Sequence, residues 1–123
     1  MVNNELRTAI NMLAEQVHGL NRQWWLDLDT GKPLDRNKGE MLMLIVSEIA
    51  EAMEADRKDL NDDKLPHRDG LTVELADAVI RILDMCGGFN LDLGGALVEK
   101  LEYNAKRADH KVENRRKSGG KKY

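Results

Sequence analysis

The amino-acid sequence predicts an all-α protein, a bundle of four main helices. Apolar residues recur every three or four positions through most of the chain. There is no β-branched alternating run, Gly-rich phosphate loop, Cys/His zinc spacing or Gly-x-Ser-x-Gly. The acidic residues, moreover, come in pairs at helical spacing: Glu48-Ile49-Ala50-Glu51 and Glu74-Leu75-Ala76-Asp77, with 22 residues between Glu51 and Glu74. Acids three residues apart on a helix share a face.

The first helix is predicted over Asn4 to Trp25, where Leu6, Ile10, Leu13, Val17, Leu20 and Trp24 form the apolar stripe. His18, Asn21, Trp24 and Trp25 cluster where this helix enters a loop, Leu26 to Lys38, that contains Gly31 and Pro33. Two adjacent tryptophans cannot both face one core, so one is left for an interface or a flat ligand such as a base. The second helix should run from Gly39 or Glu40 to Lys58, with Asn37 able to cap it. A polar connection, Asp59 to Gly70, leads to a third helix, Leu71 to Cys86, that should stop at Gly87-Gly88. A fourth, capped by Asn90 or Asp92, should reach Asp109, and on it Lys100, Tyr103, Asn104 and Arg107 share a face that reads either as ordinary surface charge or, opposite an acidic metal site, as suited to phosphates and a polar base or sugar.

At 123 residues the chain is one domain, with residues 1–109 forming the helical domain and 110–123 a basic, flexible tail. A net charge of −3 hides this asymmetry: residues 1–104 carry −9 and residues 105–123 carry +6. The tail lacks apolar periodicity, should be disordered, and can touch nucleic acid or serve only to solubilise. No apolar run approaches the roughly 20 residues of a membrane span, and no basic segment followed by an apolar signal core opens the chain, so a soluble, cytoplasmic protein is expected. The single cysteine, Cys86, excludes an internal disulfide and reads as core.

Placed on a helical wheel, Glu48 falls in the middle of the stripe made by Met41, Leu44, Ile45, Ile49 and Ala52, and Glu51 at its edge. The third helix is apolar nearly all round except for one ridge, Glu74, Asp77, Arg81 and Asp84. Carboxylates directed toward a core are costly unless neutralised, and several on one spot call for a cation. Four acidic ligands without histidine select a hard ion, Mg²⁺ or Mn²⁺, over zinc or iron. Di-iron bundles repeat Glu-x-x-His instead. Because Mg²⁺ keeps waters and meets substrates through phosphate oxygens, a phosphorylated substrate and phosphoryl chemistry follow. Met43, Val46 and Ala50 lie away from Glu48 on the second helix, an apolar strip that predicts a homodimer or homotetramer.

Three blocks in order, Ser47-Glu48-Ile49-Ala50-Glu51-Ala52, Glu74-Leu75-Ala76-Asp77-Ala78-Val79-Ile80 and Lys100-Leu101-Glu102-Tyr103-Asn104-Ala105-Lys106-Arg107, resemble those of the MazG-like all-α nucleoside triphosphate pyrophosphohydrolases, relatives of dimeric dUTPases, dCTP pyrophosphatases and phosphoribosyl-ATP pyrophosphatases. The resemblance covers about Ala14 to Arg107. It implies hydrolysis of a (deoxy)nucleoside triphosphate to monophosphate and pyrophosphate, with Glu48, Glu51, Glu74 and Asp77 holding Mg²⁺ as the catalytic set. It also implies that Lys100 and Arg107 bind phosphate, that Asn104 contacts base or sugar, and that Trp24 or Trp25 stacks on the base with His18 and Asn21 near. Helices from two subunits would form each site. Two alternatives stand beside it: a non-catalytic helical module that binds through its basic tail, and a phosphoribosyl-ATP pyrophosphatase.

Overall fold

The computed structural model describes residues 3–107 and 112–122. It is all-helical, with four main helices: α1 Asn4–Leu20, α2 Lys38–Arg57, α3 Gly70–Gly88 and α4 Leu93–Lys106. A 3₁₀ turn, Arg22–Trp25, follows α1, and a one-turn helix, α5, spans Val112–Arg115. No strand forms among the described residues; two isolated bridges, Leu26 with Pro33 and Asn61 with Asp69, staple the two longer loops. No described helix is long and apolar enough to cross a membrane.

The chain divides into two compact units, Leu13–Leu91 and a second made of Met1–Met12 with Asp92–Tyr123. In the first, α2 packs against α3. Trp25, Met41 and Met85 form its buried cluster, with Ile45 and Phe89 against it. Met41 lies near the start of α2 and Met85 near the end of α3, so the two helices run antiparallel. Asn37 caps α2 by accepting from Glu40 N at 2.9 Å, and Asp69 caps α3 by accepting from Thr72 N at 2.8 Å.

Helix α3 does not stop at Gly87-Gly88 but runs through Gly88 to a cap at Phe89. The reason is steric. A Cβ at Gly87 would collide with Ala14 O and His18 Cβ, and one at Gly88 with the Trp25 ring. The glycines let α1 and the 3₁₀ turn approach this helix, and the lost propensity of about 1 kcal/mol each is offset by that packing. The first helix likewise ends at Leu20 rather than Trp25, tightening into the 3₁₀ turn that carries both tryptophans.

In the second unit Asp92 caps α4 by accepting from Gly95 N at 2.9 Å, and it also accepts from Arg7 at 2.6 Å and Asn11 at 2.8 Å. Asn11 in turn accepts from Gly94 N. These partners, led by Asn11, hold the Asp92 carboxyl below the usual range. Helix α4 ends at Lys106 with Arg107 extended, short of the Asp109 that the sequence suggests; Asp109 itself lies outside the described residues. Of the tail 110–123, His110, Lys111 and Tyr123 also lie outside them, and in the rest Arg115 donates to the Lys122 carbonyl at 3.1 Å.

Candidate metal centre and its cavity

Both carboxylate pairs belong to the Leu13–Leu91 unit, one on α2 and one on α3. Glu48, Glu74 and Asp77 each offer an oxygen, and these oxygens lie within 4.8 Å of one another. Glu48 is only 9% exposed, as its place on the apolar stripe requires; Met41 and Ala52 of the same stripe are buried, whereas Ile49 is 48% exposed. Glu51 is exposed, matching its place at the edge of the stripe, yet it stands close enough to Glu74 to influence its ionisation.

Burial, followed by the carboxylates of Glu48 and Glu51, pushes the Glu74 carboxyl from 4.5 up to about 7. Its Oε2 is buried and has no hydrogen-bond partner among the described residues. Burial also raises Asp77, with Glu48 and Asp62 adding to it and Arg81 opposing. Carboxylates raised by one another, with an orphaned buried oxygen among them, are the electrostatic state that a divalent cation relieves. The donor set is all carboxylate oxygen, which fits a hard ion such as Mg²⁺.

Two neighbours complete this end of the site. Arg81, one turn beyond Asp77, donates from Nε to Glu48 Oε1 at 3.0 Å, so part of the charge buried at Glu48 is compensated within the protein. Asp62 is a fifth acid whose charge bears on Asp77; it is 9% exposed, and its Oδ2 accepts from the backbone of Lys64 and Leu65. Sequence reasoning placed Arg81 on the right ridge but gave it no role, and it passed over Asp62 as part of a polar connection. The spacing of four from Asp77 to Arg81 was a usable signal, whereas nothing local marks Asp62.

From the acids a cavity of about 660 Å³ extends between α2 and α3, lined by Glu48, Asp77 and Arg81 at one end and by Asn21, Trp24, Arg36, Glu40 and Asp84 at the other. The order follows from the antiparallel packing. Asp77 to Asp84 is seven residues and Glu48 to Glu40 eight, which at 1.5 Å per residue is roughly 10–12 Å along the groove. That is enough for a nucleoside beside the acids.

The tryptophans part company here. Trp25 is 9% exposed, and its Nε1 donates to both oxygens of buried Asp84 at 3.0 and 3.1 Å. His18 Nδ1 lies 3.0 Å from the same Asp84 Oδ1; a carboxylate only accepts, so Nδ1 carries the proton. The Trp25 ring meets His18 and Phe89 edge-on, at 4.9 and 5.2 Å between centroids. His18 and Trp25 therefore brace the cavity by holding Asp84, while Trp24, 63% exposed, and Asn21 line it directly. Arg36 arrives because the loop folds back: Leu34 N donates to Trp25 O at 2.8 Å and Arg36 Nη1 to Trp24 O at 3.0 Å.

Lys100, Asn104 and Arg107 belong to the other unit. Lys100 and Arg107 flank the Tyr103 ring at 4.7 and 5.9 Å from its centroid, and Asn104 Oδ1 is buried without a partner among the described residues. In comparisons with protein-family models, curated proteins and solved structures, nothing matches the chain.

Proposed function

We propose that this protein is a Mg²⁺-dependent nucleoside triphosphate pyrophosphohydrolase of MazG-like type, acting in the cytoplasm on (d)NTPs to keep the nucleotide pool clean. One observation carries the reading: the oxygens of Glu48, Glu74 and Asp77 converge within 4.8 Å, and two of these acids, Glu48 and Asp77, line one end of a cavity whose far end offers an exposed tryptophan. A volume of about 660 Å³ lies within the range of small-molecule sites, roughly 300–1,000 Å³.

Glu48, Glu74 and Asp77 would hold the ion, with Glu51 completing the set from the rim. Bound there, a divalent cation supplies neutralisation of phosphate charge and acidifies a water for in-line attack at the α–β anhydride. The chain's own groups do the rest. Glu74, whose carboxyl is raised to about 7 by burial and by its acidic neighbours, would be returned to its ionised form by the ion it holds. Trp24 offers a ring for a base to stack on, and Asn21 and Glu40 offer polar contacts to its edge. Lys100, Asn104 and Arg107 keep their assignment to phosphate and base on the resemblance alone. The exposed Met43, Val46, Leu75 and Val79 support assembly as a homodimer or homotetramer.

The experiment is a panel of nucleoside triphosphates with Mg²⁺, assayed for pyrophosphate and orthophosphate. Monophosphate plus pyrophosphate is expected. Diphosphate plus orthophosphate would overturn the bond assignment, and no turnover across the panel would return the protein to the class of helical binding modules.

A further inference from the structure

We propose that Arg81 is an anion-binding residue of the cavity, held in place by Glu48 and directed at the phosphate chain of the ligand. The nature of that ligand rests on the pyrophosphohydrolase reading. Arg81 stands four residues after Asp77 on α3, on the ridge that carries Glu74 and Asp77. Its guanidinium has five N–H donors in a rigid planar fork. Only Nε–H is used, on Glu48 Oε1 at 3.0 Å, and neither terminal amino group makes a hydrogen bond among the described residues.

A guanidinium serving solely to neutralise a carboxylate gains most from the two-point fork, because two parallel charge-assisted bonds exceed one. Here the contact is single. Asp77 and Asp84, one turn to either side on the same ridge, take no hydrogen bond from Arg81. The side chain is 42% exposed and lines the cavity beside Asp77. Four donors of a permanently charged group therefore remain for whatever enters. Planar donors at the mouth of an acid cluster suit the non-bridging oxygens of a di- or triphosphate, whose charge the neighbouring carboxylates would otherwise repel. Glu48 would then have two tasks, one oxygen positioning Arg81 and the other facing the ion.

This role makes opposite demands on two ligands. Removing a cation next to the acids lowers repulsion toward Mn²⁺, so metal affinity holds or rises. Removing the fork weakens the phosphate contact. A residue that only supported Glu48 would weaken both together.

The test uses the full chain and the variants Arg81→Gln and Arg81→Lys. Mn²⁺ alone is titrated and the free ion read by electron paramagnetic resonance; pyrophosphate is then titrated calorimetrically into Mn²⁺-saturated protein. For Arg81→Gln, Mn²⁺ binding at least as tight as wild type is expected, with pyrophosphate weaker by about 10- to 100-fold, the loss of one or two charge-assisted hydrogen bonds. Arg81→Lys keeps the charge without the fork and should fall between; should Arg81→Gln fail to fold by circular dichroism, this variant decides. Unchanged pyrophosphate affinity, or parallel loss of both ligands, overturns the proposal while leaving the metal site standing. Failure of the wild type to bind Mn²⁺ overturns the enzymatic reading and this proposal with it.

Discussion

The sharpest test of the acidic cluster is the stability of the metal-free protein against pH, compared between wild type and Glu74→Gln. In the native state Glu74 is raised from 4.5 to about 7, first by burial and then by Glu48 and Glu51. In the unfolded chain it ionises at its ordinary value. Between these two values the native state binds more protons than the unfolded state, so stability falls as pH rises through this window. At about 1.4 kcal/mol per pKa unit the rise corresponds to about 3 kcal/mol, and Asp77, raised for similar reasons, acts in the same direction. Gln has no proton to lose. The difference in unfolding free energy, wild type minus variant, should therefore decline by about 3 kcal/mol between pH 4.5 and 7 and stay level above, and taking the difference cancels the titrating groups that lie away from Glu74. Urea denaturation in EDTA at half-unit pH steps measures it, provided the m-values of the two proteins agree. Mg²⁺ at pH 8 should restore the wild type and leave the variant nearly unmoved, since only a native-state ligand site gains RT ln(1 + [L]/Kd). A level difference across the window, or an equal Mg²⁺ response in the two proteins, would refute the convergence of these carboxylates on a cation.

Glu48→Gln should lower pyrophosphate release by orders of magnitude with the fold intact, because the amide oxygen can still accept from Arg81; its metal-free stability should gain less than that of Glu74→Gln, since Arg81 already compensates Glu48. Melting temperatures with and without Mg²⁺ check both statements. Trp25→Ala should cost about 3–5 kcal/mol by emptying a core site and removing the indole donor from Asp84, which keeps His18, whereas Trp24→Ala should stay within about 0.5 kcal/mol and raise KM for the triphosphate. Urea melts and steady-state kinetics separate the two. Light scattering at micromolar concentration should give a multiple of 13.9 kDa, and Val46→Glu on the exposed strip of α2 should shift it toward the monomer; a wild-type mass near 13.9 kDa would contradict assembly.

Which face each acid occupies was legible from the sequence, because helical periodicity is set within a turn or two of the chain. Glu48 on its stripe, Glu51 at the edge, the ridge from Glu74 to Asp84, and the cap at Asn37 all follow from neighbours three or four residues away, while the choice of Asp92 over Asn90 as the cap of α4 came from the structure. The same local logic showed that two adjacent tryptophans must diverge, without saying which would be buried. Tertiary packing decided that. Trp25 turns inward because Asp84, 59 residues on, takes its indole N–H and Gly88 leaves room for its ring. His18 is drawn to Asp84 across 66 residues, and Glu48 to Arg81 across 33. The extension of α3 through Gly87-Gly88 has the same origin, since a residue that reads as a helix stop in isolation becomes a contact surface once α1 lies against it. Local spacing fixes the direction in which a side chain points from its helix; what it meets there depends on how helices distant in sequence pack, and so the acids and Arg81 could be placed on their faces from the sequence while the pairing of Arg81 with Glu48 and the approach of Asp62 to Asp77 could not.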